Sequence, residues 1–125
     1  MPTVLLVEDN EWNRDMLSRR LARCGWLVLT AEDGPAGLEL AQNHAFDLVL
    51  MDMSLPGMDG WTVTERMKAD DRTAGIPIIA LTAHVMNGDR ERAFAVGCDD
   101  FEAKPIEFSV LLAKMSRLVN RCPPA

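Results

Sequence analysis

Four short, mostly apolar runs and a shorter fifth strand-like segment, each closed by a polar or charged residue, alternate along the chain with longer amphipathic stretches. A run of about five apolar residues suits a strand buried on both faces better than a helix. Residues 3–7 form the first such run and are closed by Glu8 and Asp9. Residues 26–31 form the second, 47–51 the third and 76–81 the fourth, and 100–103 read as a short fifth strand. Asp52 closes the third, Thr82 the fourth and Lys104 the fifth.

The stretches between them read as helices. Residues 11–24 place Leu17, Leu21 and Cys24 on one face, with Asn10 as N-cap and Gly25 as the stop. Asp33, Gly34 and Pro35 open a second helix, Pro35 being suited to a first turn. Asp59 caps a third, which carries Val63 and Met67 inward. A fourth spans 87–96 and ends at Gly97. Phe108, Leu111, Leu112, Met115 and Leu118 mark the inward face of the last. Strict β–α alternation predicts an α/β fold: a doubly wound, five-stranded parallel sheet with five helices. The expected strand order is 2-1-3-4-5, a flavodoxin-like arrangement. Residues 1–121 read as one domain and 122–125 as a C-terminal tail.

Composition narrows the function. The 125 residues carry a net charge of −6, which argues against a basic nucleic-acid face. The three cysteines, Cys24, Cys98 and Cys122, form no CxxC pair and no metal-ligand spacing. They read as isolated thiols of a reducing compartment. No apolar run reaches the length of a membrane span, and no signal peptide is evident, so a cytoplasmic protein is expected.

In an open parallel sheet, ligands bind beyond the carboxyl ends of the strands, where the strand order reverses. There the expected topology gathers Glu8, Asp9, Asp52, Thr82 and Lys104. Three carboxylates and one ammonium sum to a charge of about −2. Crowded carboxylates repel, so one must take up a proton or a cation must join them. Hard oxygen ligands without His or Cys favour Mg²⁺. Such a set suits phosphoryl transfer: a carboxylate attacks phosphorus, while metal, ammonium and hydroxyl balance the charge on three oxygens. Taken singly, each residue also reads as a cap, a turn hydroxyl or a solvated lysine. From the pattern alone both readings stand.

Four blocks carry a family resemblance: LLVEDN at 5–10, LVLMDM at 48–53 with PGMDG at 56–60, IALTA at 79–83, and GCDDFEAKP at 97–105. In this order and spacing they resemble the receiver domains of bacterial two-component response regulators. The wording is most like stand-alone regulators of the DivK and chemotaxis type and the receivers of hybrid sensor kinases.

The resemblance implies that Asp52 accepts a phosphoryl group from a phosphohistidine on a histidine kinase or phosphotransfer protein. It implies Mg²⁺ held by Asp9, Asp52 and the Ser54 backbone carbonyl, with Glu8 acting through water. Thr82 and Lys104 would contact the phosphoryl group, and the Lys104–Pro105 bond would be cis. Phe101 falls at the aromatic switch position, and Ser54 and His84 at positions that tune the acyl-phosphate lifetime.

Position 8 is Glu where Asp is frequent. Phe101 replaces Tyr and has no hydroxyl, so its switching would rest on packing alone. The implied output is a changed surface on the fourth helix, fifth strand and fifth helix, with residues 86–88 as a hinge. That surface would act on a partner protein, the chain being a monomer or a phosphorylation-dependent dimer. The chain would be a switch and not a turnover enzyme, catalysing only its own phosphorylation and slow dephosphorylation. An aspartyl phosphatase or phosphomutase would need a second Asp at position 54, which is Ser. A flavodoxin-like redox carrier would need a phosphate-binding loop where Glu8 and Asp9 stand. A degenerate, unphosphorylated receiver would have lost one of the key residues, and none is missing.

Overall fold

A computed structural model of the chain describes residues 2–83 and 88–120. The sheet contains β1 (Thr3–Val7), β2 (Leu27–Ala31), β3 (Leu48–Asp52), β4 (Ile78–Thr82) and β5 (Asp100–Ala103). Between and after them run α1 (Glu11–Arg23), α2 (Gly34–Asn43), α3 (Gly60–Ala69), α4 (Asp89–Ala95) and α5 (Phe108–Asn120). All strand pairs are parallel, in the order β2-β1-β3-β4-β5. This is the expected topology.

The central strands β1, β3 and β4 are apolar on both faces because both are covered. Leu5, Val7, Val49, Met51, Ile78 and Ala80 point into a core closed by residues such as Ala41, Val63, Met67 and Ala93 from α2, α3 and α4. Their neighbours Val4, Leu6, Leu48, Leu50, Ile79 and Leu81 meet Leu17 and Leu21 of α1 and Leu111, Met115 and Leu118 of α5. Period-two alternation along each strand thus feeds two separate cores. Phe108 and Leu112 are only partly buried at the edge of the second.

Side-chain caps start three helices as expected. Asn10 accepts from the Asn13 N–H at 3.0 Å, Asp33 from Ala36 at 2.8 Å and Asp59 from Thr62 at 2.9 Å. Each satisfies one donor that a helix start leaves open.

Several boundaries differ from expectation by one or two residues. Helix α1 ends at Arg23, with Cys24 as its C-cap. The second strand begins at Leu27, because the Trp26 N–H turns back to the Leu21 carbonyl at 3.2 Å and closes the end of α1. The fourth begins at Ile78, because the Ile76 N–H closes a turn onto Thr73 at 3.1 Å. Helix α4 begins at Asp89 and its C-cap is Val96, so the expected start at 87 lies outside the described residues. Asp52 itself belongs to β3, paired in register with Leu81. The hinge expected at 86–88 lies outside the described residues except for Gly88, the α4 N-cap at φ 81°. The tail and Cys122 also lie outside them, whereas Cys98 is buried and Cys24 exposed.

Candidate functional site

The site is built at the carboxyl edge of β1, β3, β4 and β5. Glu8 continues β1 by donating its N–H to Ala31 at 3.0 Å, which fixes its direction, and the residue is 3% exposed. Asp9 follows on the exposed side. Asp52 ends β3 at 1% exposure. One oxygen from each of Glu8, Asp9 and Asp52 lies within 4.8 Å of the others. Three of the residues singled out from sequence therefore do converge.

Lys104 reaches this cluster. Its N–H donates to the Thr82 carbonyl at 2.8 Å, and its peptide bond to Pro105 is cis. Its Nζ lies 3.1 Å from Asp52 Oδ1 and 3.5 Å from Glu8 Oε1. Asp52 Oδ1 also accepts the Ser54 N–H at 3.0 Å.

Electrostatics follow from burial and pairing. Burial, then the hydrogen bond with Asp52, pushes Glu8 up to about 7. Burial also raises Asp52, but the Glu8 hydrogen bond, the Ser54 N–H and Lys104 together hold it below the usual carboxylate range. The pair therefore shares a proton that resides on Glu8, while Asp52 stays ionised. This is the proton-or-cation alternative expected from the charge count. An anionic, oxygen-only cluster that must otherwise hold a proton suits a small divalent cation.

Thr82 is buried at the end of β4, and its hydroxyl donates to Asp89 Oδ2 at 2.5 Å. Phe101 is half-buried, edge-on to Phe94 with 6.3 Å between ring centroids. Two cations also flank it, Lys114 at 5.0 Å and Arg90 at 5.5 Å from its centroid. Its resting position is thus held by cation–π attraction as well as packing. His84 lies outside the described residues.

Two residues were not foreseen. The Arg14 guanidinium donates from the first turns of α1 to the carbonyls of Glu8 at 3.0 Å and Asp9 at 3.4 Å. Asp89 holds the Thr82 hydroxyl. A basic residue four positions beyond an N-cap and an acid in a first turn are both ordinary helix surface, so neither carries a signal in sequence.

Residues 4–116 match the family profile of the response regulator receiver domain. The chain belongs to that family. Receiver domains are signalling domains, phosphorylation-dependent switches that work with histidine kinases and downstream targets. This receiver is 40% identical over 104 residues to the polar-differentiation response regulator DivK of Brucella anthropi, covering 83% of the chain and 85% of DivK. It is 37% identical over 121 residues to the transcriptional regulator RpaA of Synechocystis, covering 97% of the chain and 50% of RpaA. The receiver thus spans about half the length of RpaA and of the similar activator IrlR of Burkholderia pseudomallei. Among solved structures it superposes on the receiver domain of the sensor histidine kinase PA1611 from Pseudomonas aeruginosa. There the TM-score is 0.89 and the identity 34%, covering 95% of this chain and 98% of that one. That structure has a magnesium ion coordinated in its active-site cleft. Among the described residues, no helix of this receiver is long and apolar enough to cross a membrane.

Proposed function

We propose that residues 1–121 work as a phosphorelay switch in which Asp52 accepts a phosphoryl group from a phosphohistidine. The donor is a histidine kinase or a histidine phosphotransfer protein. The observation that carries this reading is the buried Asp52 carboxylate, 3.1 Å from Lys104 Nζ and clustered with Glu8 and Asp9.

Asp52 supplies the nucleophilic oxygen. Its bond to phosphorus forms as the phosphorus–nitrogen bond to the donor imidazole breaks, and the imidazole keeps the electron pair. Lys104, already beside Asp52, balances charge on a phosphoryl oxygen. The Ser54 N–H holds Asp52 Oδ1 in place.

The cation assigned is Mg²⁺, with Asp9, Asp52 and the Ser54 backbone carbonyl as ligands and Glu8 acting through water. The ion, when bound, neutralises the carboxylates and the incoming phosphoryl oxygens. The three-carboxylate cluster and the proton stranded on Glu8 support the assignment. Catalysis is limited to the domain's own phosphorylation and slow dephosphorylation, with Ser54 and His84 tuning the latter.

The output is a changed α4–β5–α5 surface read by a partner protein. Exposed Phe94 and Val110 supply apolar contact area on that face, and Phe94 touches Phe101 directly. The setting assigned is cytoplasmic.

Incubation with Mg²⁺ and acetyl phosphate tests the assignment. Intact mass should show one added phosphoryl group, absent without Mg²⁺ and absent in Asp52→Asn. An Asp52→Asn protein that still gains the group would overturn it.

A further inference from the structure

Asp89 is the residue that the mechanism above leaves unused, and it makes a close contact with Thr82, whose hydroxyl is expected to contact the phosphoryl group. Its Oδ2 accepts the Thr82 hydroxyl at 2.5 Å. Thr82 is buried at the end of β4, one position beyond Leu81, the register partner of Asp52. Asp89 is the first residue of α4. Gly88, the N-cap before it, offers no side-chain acceptor. We propose that Asp89 is a resting-state latch: it holds the Thr82 hydroxyl away from Asp52 and is displaced when Asp52 is phosphorylated.

The inference rests on the reading of Asp52 as phosphoryl acceptor and adds the regulation of that site. A hydroxyl carries one hydrogen and donates it to one acceptor at a time. Asp89 and a phosphoryl oxygen on Asp52 therefore compete for the same proton. Phosphorylation adds nearly two negative charges on the same sheet edge, which disfavours the Asp89 carboxylate further.

The consequence passes into α4. The helix is tied to the sheet edge through Asp89 at its first residue and through the Phe94–Phe101 ring contact further along. Between them only Ala93 is buried, so few apolar contacts oppose a shift. Loss of the Thr82 tie frees the first turn of α4, while Phe94 stays coupled to the ring at the switch position. The latch sets the energy gap between the two states, and a weaker latch makes the phosphorylated form easier to reach.

Beryllofluoride with saturating Mg²⁺ is the probe, titrated into the whole chain by calorimetry. Asp89→Ala should bind it about tenfold more tightly, the size of one charge-assisted hydrogen bond. Asp89→Asn, which keeps a weaker acceptor of the same shape, should give a smaller gain. The gain should vanish in a Thr82→Val background. Glu91→Ala, which removes a charge from the same helix turn, should leave affinity unchanged. In the metal-free protein, the carboxyl carbon resonance of Asp89 should move on Thr82→Val.

Unchanged affinity in both Asp89 variants would overturn the latch. So would a gain that survives Thr82→Val, or an equal gain in Glu91→Ala. An unmoved Asp89 resonance on Thr82→Val would overturn it as well. Wild-type protein that takes no beryllofluoride would overturn the Asp52 reading and the latch with it. Wild-type binding with no gain in the variants would remove the latch alone.

Discussion

The ammonium of Lys104 stands 3.1 Å from Asp52 Oδ1, while its other side faces Glu8 Oε1 at 3.5 Å. A single cation thus reaches both buried carboxyl groups. It also competes with a divalent ion for them. Lys104→Ala should therefore bind Mg²⁺ more tightly, because a repelling charge is gone. Phosphoryl uptake from acetyl phosphate should fall about a hundredfold, the usual cost of losing one preorganised donor. Calorimetry with Mg²⁺ and time-resolved intact mass measure the two effects, and their opposite signs are the signature.

The proton on Glu8 has a calculable direction. Burial and the Asp52 hydrogen bond raise this group from 4.5 to about 7 in the folded chain. Between those values the folded state holds a proton that the unfolded state has lost. The metal-free domain is therefore favoured below pH 4.5 by this group and loses that contribution as pH rises through 7. Mg²⁺ must displace the proton, so its affinity should fall as pH drops from 8 to 6. Glu8→Gln should flatten both dependences. Denaturant melts without metal and Mg²⁺ titrations across that pH window check them.

Gly60 governs the fit between α3 and the site strand. A Cβ there would strike the Asp52 carbonyl oxygen, and would lie 2.6 Å from Met53 Sδ and 2.7 Å from Met53 Cα. Two of these three are backbone atoms that cannot swing aside. Gly60→Ala should destabilise the domain by about 1–3 kcal/mol, as overpacking does. It should also slow phosphoryl uptake, because Asp52 must move. Gly75 meets nothing within 4 Å, so Gly75→Ala should melt within about 0.5 kcal/mol of the wild type.

The two described cysteines should differ in reactivity. Burial pushes the Cys98 thiol up to about 11, so almost no thiolate forms at neutral pH. Cys24 is exposed. Iodoacetamide should modify Cys24 in the native protein, and Cys98 only after unfolding. Peptide mapping separates the two sites.

Much of the site was legible because parallel sheets impose a rule. Buried strands must be apolar, so the first polar residue after each run marks the sheet edge where ligands bind. Glu8, Asp52 and Thr82 stood out for that reason, whereas Lys104 closes a strand that itself carries Asp100 and Glu102. Helix starts were legible at Asn10, Asp33 and Asp59, since caps act over three residues. Strand starts were less so: Trp26 and Ile76 are apolar yet belong to turns, because their N–H groups close onto Leu21 and Thr73.

What the amino-acid order by itself determined was local: alternation of strand and helix, the caps, and the residue type at each strand end. These depend on periodicity and on bonds spanning a few positions. Only the tertiary structure decided which side chains share atoms. It set one Lys104 ammonium between two carboxylates, and placed Arg14 on the Glu8 and Asp9 carbonyls. It aimed the Thr82 hydroxyl at Asp89 and flanked Phe101 with Lys114 and Arg90. Those contacts depend on where α1, α4 and α5 rest against the sheet, and on which rotamer each long side chain adopts there. Packing sets both, and no sequence spacing encodes either.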